Sequence, residues 1–558
     1  MTTVPAIFGE GRAKDVAVVA LSAICQAAAA GAAAFAMRDI FLALHGKADP
    51  IPVSALVVLF LAGAAVAGLR VLGRVVAERL GQDYAISLRR QLFRQLSRMP
   101  ADMVANRRRG GLALRFVGDL TTARNWVGLG VARIIAATIV LPGAAAVLVA
   151  LDPALAAAAA APILISIAAM IAMAPRIQPL HKRLRSRRAG LAIEMMEKAP
   201  AAPALRLLGR DGRELENLAR RGRDLRAAAV GRIAGAACLR SLPDLGTAAA
   251  AMALLWVAFV TDAAAASAAG ALAVLGILVQ PMRDLADVWD RRCAWRIARR
   301  KCETVLSSTT LEAAKGPPSS YRDGPPNVAF DNVGKGALAG LSGLVPPGAT
   351  IAIVGPNGAG KSTCLALAAG LEQTTSGHVR IDGTDVHALP HAVRRQAVAY
   401  VGPHAPILKG SLRRALSIGL RPRPEDSAIE AAAQAFGLHD VLERLGGLDG
   451  KVAEDGRNLS SGEARRVQLV RTSLARPHLL LLDEPGDALD PAGRTALRRF
   501  LRDVAATTLH VTGDIDFVRR ADAVWFLDDG VLAEAGAPED LLRGNGPTAR
   551  FFHIGQAA

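Results

Sequence analysis

Six long apolar segments lie in the first half of the chain and constrain its fold more than any other feature. They cover residues 16–37, 51–69, 134–151, 154–174, 245–260 and 268–282. A membrane-spanning helix needs about 20 apolar residues, or somewhat fewer when its flanking residues reach the interface. Alanine-rich helices buried in a soluble protein are the alternative, but six such segments alternating with basic stretches favour membrane spans. The ends of the fifth and sixth segments are the least defined.

Two long polar connections separate the apolar segments and set the predicted orientation. They are residues 70–133 and 175–244, whereas the connections within each pair of spans are short. Basic residues concentrate in the long connections, including Arg107, Arg108, Arg109, His181, Lys182, Arg183, Arg185, Arg187 and Arg188. Because basic residues favour the cytoplasmic side, we expect both connections, the N-terminus and everything after the sixth span to be cytoplasmic. The chain is therefore predicted to be a multi-pass protein of the inner, cytoplasmic membrane.

Helical patterns extend the spans beyond the bilayer. Apolar residues recur at helical spacing over 88–96 and 205–225, which predicts long cytoplasmic extensions of the membrane helices. The first apolar segment is too long for the core of a secretory signal and lacks a convincing cleavage motif. We therefore expect it to be retained as the first span.

Composition agrees with a membrane protein and argues against other classes. The chain is 52% hydrophobic yet carries 67 Lys and Arg residues, with a net charge of +18. A nucleic-acid-binding surface would combine basic residues with aromatic ones or a recognised module, and only 4% of the residues are aromatic. No nucleic-acid partner is therefore expected. The five cysteines are scattered without metal-like or disulfide-like spacing, which indicates free thiols in a reducing compartment.

The second half of the chain changes character. A helix-like stretch over 291–306 leads into residues 307–326, which are rich in Ser, Gly and Pro and are typical of a linker. From residue 327 onward, short apolar strands alternate with helical patterns. We predict an all-α membrane domain of six helices over 1–306, a linker over 307–326 and a soluble α/β domain over 327–558.

A glycine-rich loop in the second domain has the context of a P-loop, because it follows an apolar strand and precedes a helical pattern. It consists of Gly355, Pro356, Asn357, Gly358, Ala359, Gly360, Lys361, Ser362 and Thr363. Its glycines let backbone N–H groups close around phosphate oxygens, and the following helix N-terminus adds free donors. Lys361 is predicted to reach the β- and γ-phosphates of ATP, and Ser362 to hold Mg²⁺.

An acidic pair supplies the second part of the predicted site. The apolar strand over 479–482 ends in Asp483 and Glu484. Two acids after a strand often mark only its exit into solvent, but the upstream P-loop gives them a role. Asp483 is predicted to lie near Mg²⁺, and Glu484 to polarise the attacking water as a general base.

A third motif lies between the first two and carries a family resemblance. It consists of Leu459, Ser460, Ser461, Gly462 and Glu463, about 20 residues before the acidic pair. Alone it would be a helix cap or turn. In this place it resembles the signature of the ATP-binding cassette family, Leu-Ser-Gly-Gly-Gln, and the downstream Asp490 resembles that family's D-loop aspartate. The layout of the first 300 or so residues resembles the six-helix exporters of the same family.

The resemblance implies a head-to-tail dimer with ATP between the P-loop of one subunit and the signature of the other. Ser460 and the backbone of Gly462 would then contact the γ-phosphate held by a second half-transporter. It also implies that short segments of the cytoplasmic extensions, near 105–111 and 197–205, transmit closure of the dimer to the membrane helices. The substrate is not readable from the sequence.

Three departures from the family pattern bear on mechanism. Pro403 stands where the family has a glutamine, with His404 and Gln396 as neighbouring polar residues. Gly513 stands where the family has a switch histidine, and His510 falls three residues early on the opposite strand face. No aromatic residue lies in 332–337 to stack on adenine, and Phe330 is interpreted as a strand residue.

These departures favour a heterodimer in which this chain lends its signature to a partner's intact site, while its own site hydrolyses ATP slowly or not at all. A homodimer with unusual active sites stays open as an alternative. A non-hydrolysing regulatory subunit and a soluble cassette ATPase are further alternatives, and the apolar segments argue against the last.

Overall fold

The computed structural model describes residues 4–45, 52–105, 115–311, 324–402 and 405–554. Its contacts divide the chain into two compact units, the first ending at Ser308 and the second beginning at Thr309. One segment departs from this order, because Arg98–Val104 belongs to the second unit. Several predicted features lie outside the described residues, namely Arg107, Arg108, Arg109, Pro403, His404 and residues 312–323 of the linker.

Long helices build the first unit. Six stretches of them are long and apolar enough to cross a membrane: Ala13–Leu44, Val53–Leu96, Phe116–Leu151, Pro153–Leu207, Asp211–Val260 and Ala265–Leu306. The α-helices are α1 (Ala13–His45), α2 (Val53–Leu96), α4 (Leu120–Arg124), α5 (Ala132–Leu151), α6 (Pro153–Met173), α7 (Ile177–Leu207), α8 (Asp211–Val260) and α9 (Ala265–Leu306); the short α3 (Ala101–Ala105) follows α2. The predicted six-helix membrane domain is confirmed.

The helices continue well past the apolar segments, as the helical spacing predicts, with one difference. A continuous helix over 205–225 is wrong, because α7 ends at Leu207 and α8 begins at Asp211. Between them Gly209 has a φ of 65°, a left-handed conformation that ends a helix. The helical spacing on either side of this turn therefore belongs to two helices.

Small residues let two segments of the first unit approach closely. The turns flanking α4 are π-helical, and the second covers Asn125–Val131. A Cβ on Gly128 would lie 2.6 Å from the carbonyl oxygen of Ala77 in α2, and one on Gly81 would lie 2.7 Å from that of Arg124. Small residues at helix interfaces allow this kind of backbone approach in membranes. The contact holds the start of the third span against α2.

Twelve strands organise the second unit over its described residues. They are β1 (Val328–Lys335), β2 (Leu338–Val345), β3 (Thr350–Val354), β4 (Ser376–Ile381), β5 (Thr384–Asp385), β6 (Val398–Val401), β7 (Gly410–Ser411), β8 (Lys451–Val452), β9 (Leu479–Asp483), β10 (Thr507–Val511), β11 (Ala523–Asp528) and β12 (Val531–Gly536). The main sheet has the order β12-β11-β3-β10-β9-β6, and only β12 runs antiparallel to its neighbour. A separate antiparallel sheet has the order β2-β1-β4-β5.

Helices cover the buried parallel strands, as parallel sheets require. They are α10 (Lys361–Ala368), α11 (His391–Ala397), α12 (Leu412–Ser417), α13 (Asp426–Ala435), α14 (His439–Leu445), α15 (Ser461–Ala475), α16 (Pro491–Asp503), α17 (Ile515–Val518), α18 (Pro538–Arg543) and α19 (Pro547–Ile554). Every residue of β9 and β10 is buried. The predicted α/β class of this unit is confirmed.

The segment Arg98–Val104 is held to the second unit by specific bonds. The N–H of Ala101 donates to the carbonyl oxygen of Leu371 at 2.8 Å, and Lys335 Nζ lies 2.7 Å from Asp102 Oδ2. The predicted transmission segment near 105–111 begins directly after it, and only its first residue is described. The contacts of Ala101 and Asp102 therefore lie a few residues before the predicted transmission segment.

His510 lies inside the sheet rather than at its edge. Its side chain is 2% exposed, packs edge-on against Phe517, and has no hydrogen-bond partner for Nε2 among the described residues. Burial lowers its pKa from 6.5 to about 3. The imidazole is therefore neutral in the folded chain at every pH down to about 3.

This buried imidazole predicts an acid-sensitive contribution to stability. An unfolded chain binds the proton below pH 6.5 and the folded chain does not, so acidification opposes folding by up to about 1.4 kcal/mol per pH unit between pH 6.5 and 3. We expect His510→Leu to lose less stability than the wild type between pH 7.5 and 5. Urea unfolding followed by hydrogen exchange of β10 measures this, with the exposed His439→Gln as control. An unchanged pH dependence in His510→Leu would contradict the assignment.

Candidate nucleotide site

The order of the parallel strands brings the predicted site residues to one edge of the main sheet. Strand β10 lies between β3 and β9, and all three run in the same direction. Their carboxyl ends therefore meet, and ligands of open α/β sheets bind at this edge. The P-loop follows β3, Glu484 follows β9 and Gly513 follows β10.

The P-loop closes tightly on the neighbouring strand. Gly355 has a φ of 143°, and a Cβ there would lie 2.1 Å from the carbonyl oxygen of Leu527. Only glycine fits this position. Helix α10 begins at Lys361, whose Nζ lies 2.7 and 2.8 Å from the carbonyl oxygens of Gly355 and Pro356. Burial lowers the pKa of Lys361, and Glu484 and Asp483 oppose that shift.

A hydrogen bond joins the P-loop helix to the acidic strand. Ser362 Oγ donates to Asp483 Oδ1 at 3.1 Å. Asp483 is 4% exposed, whereas the adjacent Glu484 is exposed and has a φ of 47°, unusual for a residue with a side chain. Strained backbone of this kind concentrates at functional sites. Burial, followed by Asp487 and Asp483, raises the pKa of Glu484 above its usual range.

Tyr400 is a polar neighbour of Asp483 that the sequence motifs did not indicate. Its hydroxyl donates to Asp483 Oδ2 at 3.4 Å, so both carboxylate oxygens have donors. Burial and the adjacent Asp483 raise the pKa of Tyr400 above its usual range, which keeps the hydroxyl protonated. A Cβ on Gly402 would lie 2.5 Å from this hydroxyl, so glycine makes room for it. The sequence feature that could have indicated this bond is an aromatic residue near the end of β6, two positions before Gly402.

The signature motif caps helix α15 with a reciprocal pair of hydrogen bonds. Ser460 Oγ accepts from the N–H of Glu463 at 3.2 Å, and the Glu463 carboxylate accepts from the N–H of Ser460 at 2.8 Å. This is a capping box. The guanidinium of Arg444 donates to both oxygens of Glu463 at 2.8 Å. Arg444 therefore balances the negative charge that replaces the family's glutamine.

The pKa of Glu463 is lowered, so the carboxylate stays ionised. Burial alone would raise it, but the N–H of Ser460 and the Arg444 guanidinium outweigh burial. Gly462 follows the cap, and a Cβ there would lie 2.7 Å from the carbonyl oxygen of Ala488. The signature is thus in contact with the loop that carries Asp490. Asp490 caps α16 by accepting from the N–H of Gly493 at 2.7 Å.

Of the residues named in the three departures, Gly513, Phe330 and Gln396 are described, whereas Pro403 and His404 lie outside the described residues. Gly513 is exposed and, as a glycine, contributes no side chain to the site. Apart from its chain neighbours, no described atom lies within 4 Å of the point that a Cβ there would occupy. Phe330 lies in β1, is 1% exposed and meets Trp525 edge-on, as expected for a strand residue. Gln396 is exposed on α11.

Two family matches cover most of the chain. Residues 16–279 match the ABC transporter transmembrane region, and residues 338–487 match the ABC transporter domain. The chain belongs to the ABC transporter family. It has the half-transporter arrangement, with one membrane region fused ahead of one ATPase domain. A bacterial Atm1-family ABC exporter with ATP bound has the same fold, with a TM-score of 0.84, 24% identity and 98% of each chain covered.

Curated relatives of this ABC transporter chain carry different descriptions. A mycobactin import ATP-binding/permease protein of Mycolicibacterium thermoresistibile is 35% identical over 50% of this chain and 49% of its own length. A multidrug efflux ATP-binding/permease protein of Mycobacterium bovis is 33% identical over 49% of this chain and 24% of its own. ATP-binding cassette sub-family B member 6 of Rattus norvegicus is 36% identical over 41% and 28%. The chain spans half or less of the length of these relatives.

Tyr400 is predicted to support Mg²⁺ at Asp483. Tyr400→Phe removes the donor that holds the second carboxylate oxygen, so we expect the Mg²⁺ concentration for half-maximal binding of a fluorescent ATP analogue to rise by about threefold to tenfold. Affinity without Mg²⁺ should stay unchanged. Tyr84→Phe in the first unit is the matched control. An Mg²⁺ dependence identical to the wild type would contradict the prediction.

The capping box predicts different outcomes for two changes at one position. Glu463→Gln keeps a side chain that accepts from the N–H of Ser460, whereas Glu463→Ala removes that acceptor and costs about 0.5–1.5 kcal/mol of helix stability, the net contribution of one hydrogen bond. We expect faster hydrogen exchange at the start of α15 in Glu463→Ala and near wild-type exchange in Glu463→Gln. Equal hydrogen exchange in the two variants would show that the capping box does not order the signature motif.

Proposed function

We propose that this chain binds ATP as one half of an ATP-hydrolysing transporter that exports a substrate from the cytoplasm. The observation that carries the proposal is the bond between Ser362 and Asp483, with Glu484 next to it at the same sheet edge. It joins a phosphate-binding loop to a carboxylate and a candidate base. The whole transporter's activity, substrate and partner belong to the proposal.

The residues present fit a nucleotide with Mg²⁺. The oxygen atoms of Ser362 and Asp483 are the hard ligands that Mg²⁺ prefers, and the ion would neutralise charge on the phosphates. Lys361 and the loop N–H groups would bind and orient the phosphate chain. Glu484 would accept a proton from the water that attacks the γ-phosphorus, while the bond to the β-phosphate oxygen breaks. Its raised pKa suits this role.

A second half-transporter would complete the site. In the proposed head-to-tail dimer, Ser460 and the N-terminus of α15 face the γ-phosphate bound by the partner. The helix dipole and the N–H of Gly462 favour an anion there. Arg444 supports this role, since it offsets the carboxylate of Glu463. Asp490 holds the neighbouring loop in place.

We favour a heterodimer over a homodimer. Gly513 stands where the family has a switch histidine, and residues 332–337 include no aromatic residue that could stack on adenine. The signature, by contrast, is ordered by its capping box. The second candidate function is a regulatory subunit that binds ATP without turnover, and Gly513 is the observation that favours it.

Motion would pass from the ATPase domain through the segment at Arg98–Val104. Its ion pair between Asp102 and Lys335 is a suitable link, since both side chains are about a quarter exposed and 2.7 Å apart. Export is proposed from the exporter fold. The distribution of basic residues supports an inner-membrane protein whose ATPase domain and N-terminus lie in the cytoplasm.

ATP hydrolysis by the purified full chain in lipid nanodiscs tests the proposal. We expect Lys361→Ala to weaken ATP binding by tenfold or more, on the order of one lost charged contact. Glu484→Gln should keep binding and abolish whatever turnover this chain's own site supplies, which the heterodimer predicts to be slow or absent. Glu539→Gln, on the exposed α18, is the matched control. Where turnover is measurable, its acidic limb should lie above pH 4.5, because Glu484 must be ionised to act and its pKa is raised.

The outcomes separate the candidates. Turnover by the lone chain that Glu484→Gln abolishes would overturn both the heterodimer and the regulatory subunit. Turnover that appears only with a second half-transporter, and survives Glu484→Gln in this chain, would support the heterodimer. ATP binding by this chain that raises a partner's turnover, with Ser460→Ala lowering it, would identify the lent signature. An unaltered rate in Ser460→Ala would contradict that role.

A further inference from the structure

A cavity of about 750 Å³ lies within the first unit, between helices α1, α2, α5 and α9. Its walls are largely apolar, and include Val19, Ala23, Val66, Val140 and Ile277. Its size is in the range of pockets that hold small molecules. None of the sequence motifs accounts for it.

Charged side chains that are far apart in sequence converge on this cavity. Arg70 and Arg74 come from α2, Arg133 from α5 and Asp284 from α9. Charges inside membrane helices are costly and mark functional pathways. Each residue alone is typical of the end of an apolar span. Together they form one polar end of an otherwise apolar space.

The acid in this group is already paired. Arg133 Nη1 lies 3.2 Å from Asp284 Oδ1 and 2.8 Å from Asp287 Oδ2. Gln280 Nε2 donates to Asp284 Oδ1 at 3.1 Å. The negative charge that faces the cavity is therefore balanced by α5 and α9. It forms no ion pair with the arginines of α2 among the described residues.

Arg70 and Arg74 are exposed and form no hydrogen bond or close ion pair among the described residues, although the charge of Arg74 attracts the carboxylate of Asp284. They lie one turn apart on the same face of α2, where like charges repel. Between them, Gly73 leaves space, since a Cβ there would lie 3.1 Å from Ser22 Oγ and 3.9 Å from Gln26 Nε2. Arg70, Arg74 and Arg133 together outnumber the one carboxylate that lines the cavity, so this end of the cavity favours an anion.

Arginines at the ends of spans ordinarily reach toward lipid headgroups. Arg70 and Arg74 differ because they line a cavity that continues along apolar walls. A ligand that satisfies both parts must carry an anionic group at one end and an apolar body at the other. A free inorganic anion would leave the walls in contact with water.

We propose that this cavity binds an amphipathic anion, whose acidic group meets Arg70 and Arg74 and whose apolar body lies along α1, α5 and α9. This inference rests on the proposed transport function, since it names the chemical class of the transported compound. A carboxylate or phosphate on a hydrocarbon body fits, whether it comes from a membrane lipid or from the cytoplasm. A neutral or cationic compound of the same shape fits less well, because it leaves both arginines unpaired.

Two matched fluorescent probes test the charge requirement. 1-Anilinonaphthalene-8-sulfonate is an amphipathic anion, and N-phenyl-1-naphthylamine is its uncharged counterpart. We expect the full chain in phosphatidylcholine nanodiscs to bind the anion saturably above empty discs. The Arg70→Gln and Arg74→Gln changes together should weaken its binding by tenfold or more, on the order of one charged contact each. Binding of the neutral probe should not change.

Arg79→Gln is the matched control, because Arg79 is exposed on the same helix and does not line the cavity. Equal affinity for the anion in wild type and the double variant would overturn the proposal, as would equal loss in Arg79→Gln. Native mass spectrometry of the same samples reports whether the chain forms a dimer with a second copy. Weaker probe binding that accompanies loss of the dimer would assign the arginines to subunit contact and overturn the proposal.

Competition identifies the source of the anion. Phosphatidylglycerol in the disc represents a membrane lipid, and octanoate in the buffer represents a cytoplasmic amphiphile, with octanol as its neutral control. Displacement by either anion, lost in the double variant, supports the proposal and names the source. Displacement by octanol as strong as by octanoate overturns it. Probe binding needs no nucleotide, so its failure is distinct from a failure of ATP binding or hydrolysis.

Discussion

The position of β10 between β3 and β9 is the constraint on which the nucleotide site depends. Parallel pairing on both sides of β10 places the carboxyl ends of three buried strands at one sheet edge. The P-loop, the acidic pair and Gly513 follow those strand ends. Burial of β9 and β10 keeps the arrangement rigid, so Ser362 and Asp483 meet at 3.1 Å. The chemistry is assembled by the sheet rather than by any single motif.

In the second unit, the residues predicted to bind phosphate lie together at one sheet edge, while residues around them depart from the family pattern. Asp483 has donors at both oxygens, one from the P-loop and one from Tyr400, while Gly513 contributes no side chain. The signature shows a similar balance, since Arg444 holds the carboxylate of Glu463. At the signature, the departure from the family pattern thus lies beside a residue that balances its charge.

The membrane unit gives charged residues a context that the sequence order conceals. Arg70, Arg133 and Asp284 each lie next to one end of an apolar segment. In the sequence, such a position indicates only the edge of the bilayer. Helix association turns them toward one cavity, with small residues such as Gly73 and Gly128 allowing the close approach.

Local patterns determined the parts of this protein that depend on neighbours in sequence. Apolar length predicts the six spans, and glycines before Lys361 predict the P-loop, because helix formation in lipid and loop closure need only nearby residues. The break at Gly209 also has a local cause, a glycine that can end a helix, but the bond from Tyr400 to Asp483, 83 positions apart, follows no local pattern. Only the tertiary structure decided such pairs, since hydrogen bonds and ion pairs depend on distances that chain folding sets. The cavity at Arg70 and Arg74 has the same origin.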